Sequence, residues 1–235
     1  MSHAAAIIVA AGSGTRLGAG RPKAFVALAG RPMVAWSLDA IAAAGVPRAI
    51  VAVPPGHGAV AEEALGGAAG DFPLGLAFVE GGAVRSASVR NALAAAGDAE
   101  AVAVHDAARP LAPAGLFTAT LAALADADAA IAAARVPDTI KEAGVDGVVV
   151  RTHDRSRLWA IQTPQAFRAD VLRRALDVPD EVLAAATDDA WLVERTGGTV
   201  RVVESTPANF KVTTAHDLRI AELLLADRLP PASAP

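Results

Sequence analysis

The sequence predicts an α/β fold: a three-layer α/β/α sandwich around a mostly parallel sheet, with one polar hairpin standing outside the layers. Two observations carry this. Short apolar runs of strand length alternate along the chain with alanine-rich stretches of helical length. The runs also lack the polar alternation of a half-wet strand, as expected where helices cover both faces of a sheet. A third observation sets the scale. The chain has 235 residues, 53% hydrophobic and 20% charged, which is enough for one large core, and no linker or internal repeat divides it. One domain over residues 1–235, with a protruding arm at about 137–160, is the expected organisation.

In chain order, strands are expected at Ala5–Ala11, Arg48–Val53, Leu76–Glu80, Ala101–His105 and Ala129–Val136. Helices are expected between them at Met33–Ala44, Ala59–Leu65, Ser86–Ala96 and Gly115–Ala125, with Gly45, Gly97 and the pair Gly66-Gly67 as stops. The rhythm breaks at Pro137–Trp159, PDTIKEAGVDGVVVRTHDRSRLW, which is too polar for a core element and reads as two short strands around a turn at Gly144–Gly147. So polar a hairpin is marginal alone in water, so it is expected to pack outside the sheet, against a second subunit. Helices resume at Ala169–Leu176 and Asp188–Arg195, and a last strand follows at Val200–Glu204. A final helix starts after Thr214 and runs to about Asp227, with Asp217 in its first turn as a capping-box variant.

Composition excludes several classes. The formal net charge is −4, from 21 Lys+Arg against 25 Asp+Glu, so no basic surplus points to nucleic acid. An anionic ligand must then be met by a few placed cations. With no cysteine, disulfide scaffolds, thiol nucleophiles and cysteine-based metal sites drop out. The N-terminus lacks a basic leader, and no run approaches the roughly 18 apolar residues of a membrane helix. The expectation is a soluble, cytoplasmic protein with no membrane contact.

Ligands of mostly parallel sheets bind outside the carboxyl ends of the strands, so the residues just after each run are the candidates. The first run leads into AAGSGTRLGAGRPK, residues 10–23. Gly12, Gly14 and Gly18 let successive amides face an anion, and Arg16 and Lys23 add two cations. A P-loop would need Gly-Lys-Ser/Thr. A dinucleotide loop would need glycine where Leu17 stands and an acid after Val53, where Pro54-Pro55 follow. An ordinary Gly-rich turn stays open as the alternative. The fourth run ends in HDAARP, where Asp106 could hold a hard cation such as Mg²⁺ and Arg109 follows in the same loop. The alternative is that Asp106 caps a turn and pairs with Arg109. His105 should point away from Asp106 and reads as a structural residue. Asp138, Thr139, Lys141, Arg155, Thr163 and Lys211 form a scattered polar set, for which ordinary solvated charges remain the alternative.

Taken together, AAGSGTRLGAGRPKAFVALAGRPM, GGAVRSASVRNAL, HDAARP, DT at 138–139, LWAIQTPQAF, TDDA at 187–190 and NFKVTTAHDL resemble the 2-C-methyl-D-erythritol 4-phosphate cytidylyltransferase family of the non-mevalonate isoprenoid pathway. The likeness runs from about Ala5 to Leu225. It implies a Rossmann-like nucleotidyltransferase sandwich with a β-hairpin dimerisation arm. It also implies transfer of CMP from CTP to methylerythritol phosphate, with Mg²⁺ and release of pyrophosphate. By the same resemblance, Arg16, Lys23 and Lys211 are catalytic cations. Asp106 sits near metal and substrate, and Arg109, Thr139, Arg155 and Thr163 grip methylerythritol phosphate. The backbone at Ala10, Ala11, Gly12, Gly14 and Gly82, with Ser88, recognises the nucleotide. The arm would cross between the subunits of a homodimer, so that Thr139 and Arg155 serve the neighbour's site. Ala83 stands where the family often has a polar residue, which puts one base contact in doubt. At 235 residues the chain is expected to lack the cyclodiphosphate synthase domain that some relatives carry fused. Cytidylyl transfer to another polyol phosphate, such as ribitol 5-phosphate, is the alternative.

Overall fold

The structure, a computed structural model, describes residues 3–12, 22–69 and 72–226. Its centre is a seven-stranded sheet of order β11-β7-β10-β6-β1-β4-β5. Four of these strands are β1 (Ala4–Val9), β4 (Arg48–Val53), β5 (Gly75–Glu80) and β6 (Ala101–Asp106), all parallel. β7 (Ala129–Arg135) and β11 (Val200–Glu204) pair in parallel with each other, and β10 (Trp159–Arg168) runs antiparallel between β6 and β7.

Alternation within single strands builds the two faces. Ala6 and Ile8 of β1 join one buried cluster with Val51 and Phe117, while Ile7 of the same strand joins the other with Ile50, Val104 and Phe167. α1 (Met33–Ala43) and α4 (Ala114–Ala122) close the first face; α3 (Arg85–Ala94), α5 (Ala169–Leu176) and α7 (Asp189–Arg195) close the second. Each fully buried Leu, Ile or Phe contributes about 1.5–3 kcal/mol of apolar burial, and with few aromatics the core depends on many such small contributions.

Most expected elements stand where the pattern puts them, to within a residue or two, and several boundaries have visible causes. Gly45 ends α1 and Gly97 follows α3, both at positive φ (73° and 63°), where L residues are disfavoured. Asp217 accepts from the backbone of Thr213 and Thr214 at 2.8 Å and opens α8 (Ala215–Ala226).

Three corrections follow. α2 (Gly58–Ala69) passes through Gly66-Gly67 and does not stop there, because helical glycine costs only about 1 kcal/mol and nothing at those positions requires positive φ. β10 has no counterpart among the expected strands, and it carries Pro164, which cannot donate to a ladder. The ladder with β7 shifts register between Ile161 and Gln165, and that irregularity holds Pro164, whose peptide bond with Thr163 is cis. Short elements are also added: α6 (Asp180–Ala185) and the pair β2 (Ala27–Leu28) and β3 (Arg31–Pro32).

The polar hairpin is β8 (Lys141–Ala143) and β9 (Val149–Thr152), a two-stranded sheet of its own. Its turn is closed by Gly147 N–H donating to Gly144 O, with Gly147 at φ 81°. Val145, Val148, Val149 and Val150 are all exposed. Among the described residues no helix is long and apolar enough to cross a membrane.

Candidate active site

The carboxyl ends of β1, β4, β5 and β6 meet along one edge. Ala10 N–H donates to Ala52 O at 2.9 Å, Gly81 N–H to Val53 O at 2.7 Å and Ala107 N–H to Val9 O at 3.2 Å. These bonds draw three loops around a cleft of about 360 Å³. Ala10, Ala11, Gly12 and Lys23, whose N–H donates to Gly12 O at 3.4 Å, line one wall, Gly82 and Ser88 the second, and Asp106 and Lys211 the third. Residues from the start, middle and end of the chain are thus brought together. Gly14 and Arg16 lie outside the described residues.

The second wall is shaped by close packing. A Cβ on Gly81 would come within 2.5 Å of Ala11 Cβ, and one on Gly82 within 2.5 Å of Ala87 Cβ, so only glycine fits at both. Ser88 Oγ accepts from Gly82 N–H at 3.0 Å and donates to Val84 O at 3.1 Å, which ties this loop to the first turn of α3.

Asp106 ends β6 and is 7% exposed. Its Oδ1 accepts from Arg85 Nε at 3.0 Å and its Oδ2 from Lys211 Nζ at 2.7 Å. Lys211 is held in place by its neighbour, since Val212 N–H donates to Ala108 O at 2.8 Å. Burial opposes ionisation of Asp106, but the Arg85 guanidinium and the Lys211 ammonium outweigh it and hold the carboxyl well below the usual carboxylate range. Three cations, Lys23, Arg85 and Lys211, line the described cleft against one carboxylate, Asp106. This local surplus of positive charge is where an acidic chain can hold a polyanion.

Arg109 and Thr163 stand behind this cleft and do not line it. Arg109 donates to Asn209 O at 2.8 Å and Ile161 O at 3.4 Å. Thr163 is 4% exposed, and its hydroxyl takes the backbone N–H of Asp106 at 3.0 Å. His105 Nδ1 lies 3.0 Å from the same hydroxyl, and His105 Nε2 lies 3.1 Å from Arg109 O. The pattern fixes the tautomer. A carbonyl can only accept, so Nε2 carries the proton and Nδ1 accepts from Thr163. Burial keeps the His105 imidazole neutral, with its pKa lowered to about 4. His105 is therefore structural, as its strand position suggests. Thr139 and Arg155 are exposed on the hairpin side and lie away from the cleft lining.

Two charged residues went unassigned in the sequence. Arg85 lines the cleft, and Asp189, fully buried, accepts from its guanidinium. Each is the first residue of a helix, and each lies in a segment that carries the family resemblance, GGAVRSASVRNAL and TDDA; that is the signal that could have marked them.

Could a divalent cation be held here? No group of three His, Cys, Asp or Glu is gathered among the described residues, so a cage made wholly of protein is not available. A single carboxylate in a cleft rich in cations fits the other mode, in which Mg²⁺ takes one protein oxygen and completes its shell with phosphate oxygens and water. Asp106 meets that requirement, because each of its oxygens engages one cation and keeps a further lone pair.

The comparisons with known proteins agree with one another. The model of the IspD family, 2-C-methyl-D-erythritol 4-phosphate cytidylyltransferase, matches residues 4–227. The chain is 46% identical over 224 residues to the 2-C-methyl-D-erythritol 4-phosphate cytidylyltransferase of Symbiobacterium thermophilum, covering 94% of this chain and 92% of that one. To the protein of the same name from Nocardia farcinica it is 46% identical over 228 residues, 95% of this chain and 94% of the other. Among solved structures, that of 4-diphosphocytidyl-2C-methyl-D-erythritol synthase from Anaerococcus prevotii superposes with a TM-score of 0.81 at 29% identity, covering 96% of this chain and 99% of that one. The 2-C-methyl-D-erythritol 4-phosphate cytidylyltransferase of Thermus thermophilus gives 0.76 at 34% identity, over 96% and 100%.

Proposed function

The chain belongs to the 2-C-methyl-D-erythritol 4-phosphate cytidylyltransferase family, and from that premise we propose how its residues carry out the reaction. It is a nucleotidyltransferase that transfers CMP from CTP to 2-C-methyl-D-erythritol 4-phosphate, giving 4-CDP-2-C-methyl-D-erythritol and pyrophosphate. A different polyol phosphate as acceptor is not favoured. A phosphate oxygen of the acceptor attacks the α-phosphorus of CTP in line. The bond from the α-phosphorus to the bridging oxygen breaks, and that oxygen leaves with pyrophosphate. No group on the protein needs to form a covalent bond, so catalysis rests on positioning and charge neutralisation.

The observation that carries the assignment of roles is the convergence of Lys23, Asp106 and Lys211 in one cleft at the carboxyl ends of the strands. Lys23, with Arg16, neutralises charge that builds on the triphosphate. Lys211, held against Asp106, presents a cation to the phosphates that meet at the α-phosphorus. The cleft walls at Ala10, Ala11, Gly12 and Gly82, with Ser88 and with Gly14 from outside the described residues, receive cytosine and ribose; at Gly82 a Cβ would collide with Ala87, so the loop keeps its place only with glycine. Arg109 joins the grip on methylerythritol phosphate. Thr163 acts on it through the backbone of Asp106, to which its hydroxyl is bonded. Asp106 would hold Mg²⁺ together with the nucleotide phosphates; when bound, the ion supplies further neutralisation of the triphosphate charge.

Thr139 and Arg155 complete the site from a second copy of the chain. The support is physical: both are exposed beside a hairpin that forms its own sheet and presents four valines to solvent, a surface that a homodimer would bury. In this reading the hairpin is the arm of an otherwise single nucleotidyltransferase domain, and the enzyme works in the cytoplasm.

Pyrophosphate release with CTP and Mg²⁺, comparing methylerythritol phosphate with ribitol 5-phosphate, tests the reading. Release with the first and little with the second is expected. Release with ribitol 5-phosphate alone would overturn the acceptor, and silence with both in a folded sample would overturn the activity.

A further inference from the structure

Asp106 owes its orientation to more than its two direct cations. Arg85 Nε bonds Asp106 Oδ1 at 3.0 Å, and Arg85 Nη1 turns the other way to Asp189 Oδ2 at 2.5 Å. Arg85 opens α3, its side chain is 26% exposed, and it lines the cleft. Asp189 opens α7, has no exposed surface and does not line the cleft. Its other oxygen, Oδ1, has no hydrogen-bond partner among the described residues. Burying a carboxylate so incompletely paired is costly, and a staple between α3 and α7 could be made from apolar side chains at less cost. The segment around it is firmly held. Asp188 Oδ1 accepts from Trp191 N–H at 2.9 Å, and Asp188 Oδ2 from Gln165 Nε2 at 2.9 Å, which fixes the start of α7 to β10.

The geometry suggests what the second carboxylate does. A guanidinium bonded to Asp106 alone would favour a bidentate fork on both its oxygens. That fork would compete with Lys211 for Oδ2. With Nη1 engaged by Asp189, the Nη1–Nη2 end of the guanidinium is closed to Asp106, and the side chain turns its Nε edge to Oδ1 while Lys211 holds Oδ2. We propose that Asp189 is a positioning residue for CMP transfer: through Arg85 it holds Asp106 and Lys211 in the arrangement that faces the cleft. The inference rests on the reaction described above, and wild-type turnover measured alongside keeps the two apart.

Asp189→Asn keeps the size of the side chain and removes its charge. In the folded variant kcat for pyrophosphate release is expected to fall at least about 10-fold, while the CTP KM stays within about threefold, because base and ribose are received on other walls. Combining Asp189→Asn with Arg85→Gln should cost no more than about twofold beyond Arg85→Gln alone, since the effect runs through Arg85. A purely structural staple would lower the melting midpoint and leave kcat of the folded enzyme within about twofold of wild type. That result, a loss confined to KM, or multiplicative losses in the double variant would overturn the proposal. Should Asp189→Asn fail to fold, Arg85→Lys carries the test, because it keeps the charge without the planar fork that spans two carboxylates. A loss in kcat of at least about 10-fold is expected there, and kcat within about twofold of wild type would overturn the proposal. A wild-type enzyme that releases no pyrophosphate would remove the CMP-transfer reading, and this inference with it.

Discussion

Thr163→Val separates the two roles that a threonine beside Asp106 can play. Valine matches the shape of threonine, so the substitution opens no cavity and removes only the hydroxyl. In the structure that hydroxyl satisfies two buried groups, the N–H of Asp106 and Nδ1 of His105, each at 3.0 Å. Neither has water to turn to, because His105 is 0% and Thr163 4% exposed. Leaving one buried polar group unpaired costs about 1–3 kcal/mol, so the pair puts the destabilisation at about 2–6 kcal/mol. That is a large share of the 5–15 kcal/mol typical of a folded domain. Thr163→Ser keeps the hydroxyl and loses one methyl, at a cost of about 1 kcal/mol. Equilibrium unfolding in urea reads both variants as a shift in midpoint at unchanged slope. A Thr163→Val protein within about 1 kcal/mol of wild type would refute the hydrogen-bond argument. A raised KM for methylerythritol phosphate in that same stable variant would place the hydroxyl on the substrate.

Three further outcomes are expected. His105 is buried and neutral, with a folded pKa of about 4 against the ordinary 6.5, so the unfolded chain binds the extra proton between those values. Its contribution is complete above about pH 6.5 and is lost as pH falls toward 4, by on the order of 3 kcal/mol at most; an unfolding midpoint that does not change between pH 7 and 4 would contradict this. Lys23→Ala and Arg16→Ala should each lower kcat at least about 100-fold, as lost charge stabilisation at the transition state does, and wild-type kcat in either variant would remove its assigned role. Arg155→Ala and Asp106→Ala chains, each inactive alone, should regain activity when mixed. Half of the dimers would then be hybrids with one intact composite site, so about a quarter of all sites would work. No recovery despite confirmed hybrids would argue against a crossing arm.

The sheet and its helices were legible because their signal is local. A buried parallel strand shows as a short apolar run wherever it ends up, which is why Arg48–Val53 is read to the residue. Helix stops are local too, but glycine marks them only where positive φ is required. Gly45 and Gly97 meet that condition, whereas Gly66-Gly67 lie inside helix α2. β10 was hidden because Pro164 speaks against a strand, and its place in the sheet depends on pairing with β6 and β7, far away in sequence. The Gly-rich loop, HDAARP and the lysine of NFKVTT could be picked out as motifs, and their fixed order carried the family.

What the sequence determined by itself was therefore the kinds of element, the chemistry on offer and the family to which the ordered motifs belong. Only the tertiary structure decided which charges meet. Arg85 and Asp189 are 104 residues apart, as Asp106 and Lys211 are 105 apart, and no local period links either pair. It also decided that the Thr163 hydroxyl faces His105 and the Asp106 backbone, and not the cleft. The reason is physical. Propensity and periodicity act over a few residues, whereas desolvation and ion pairing depend on what the fold brings within a few ångströms.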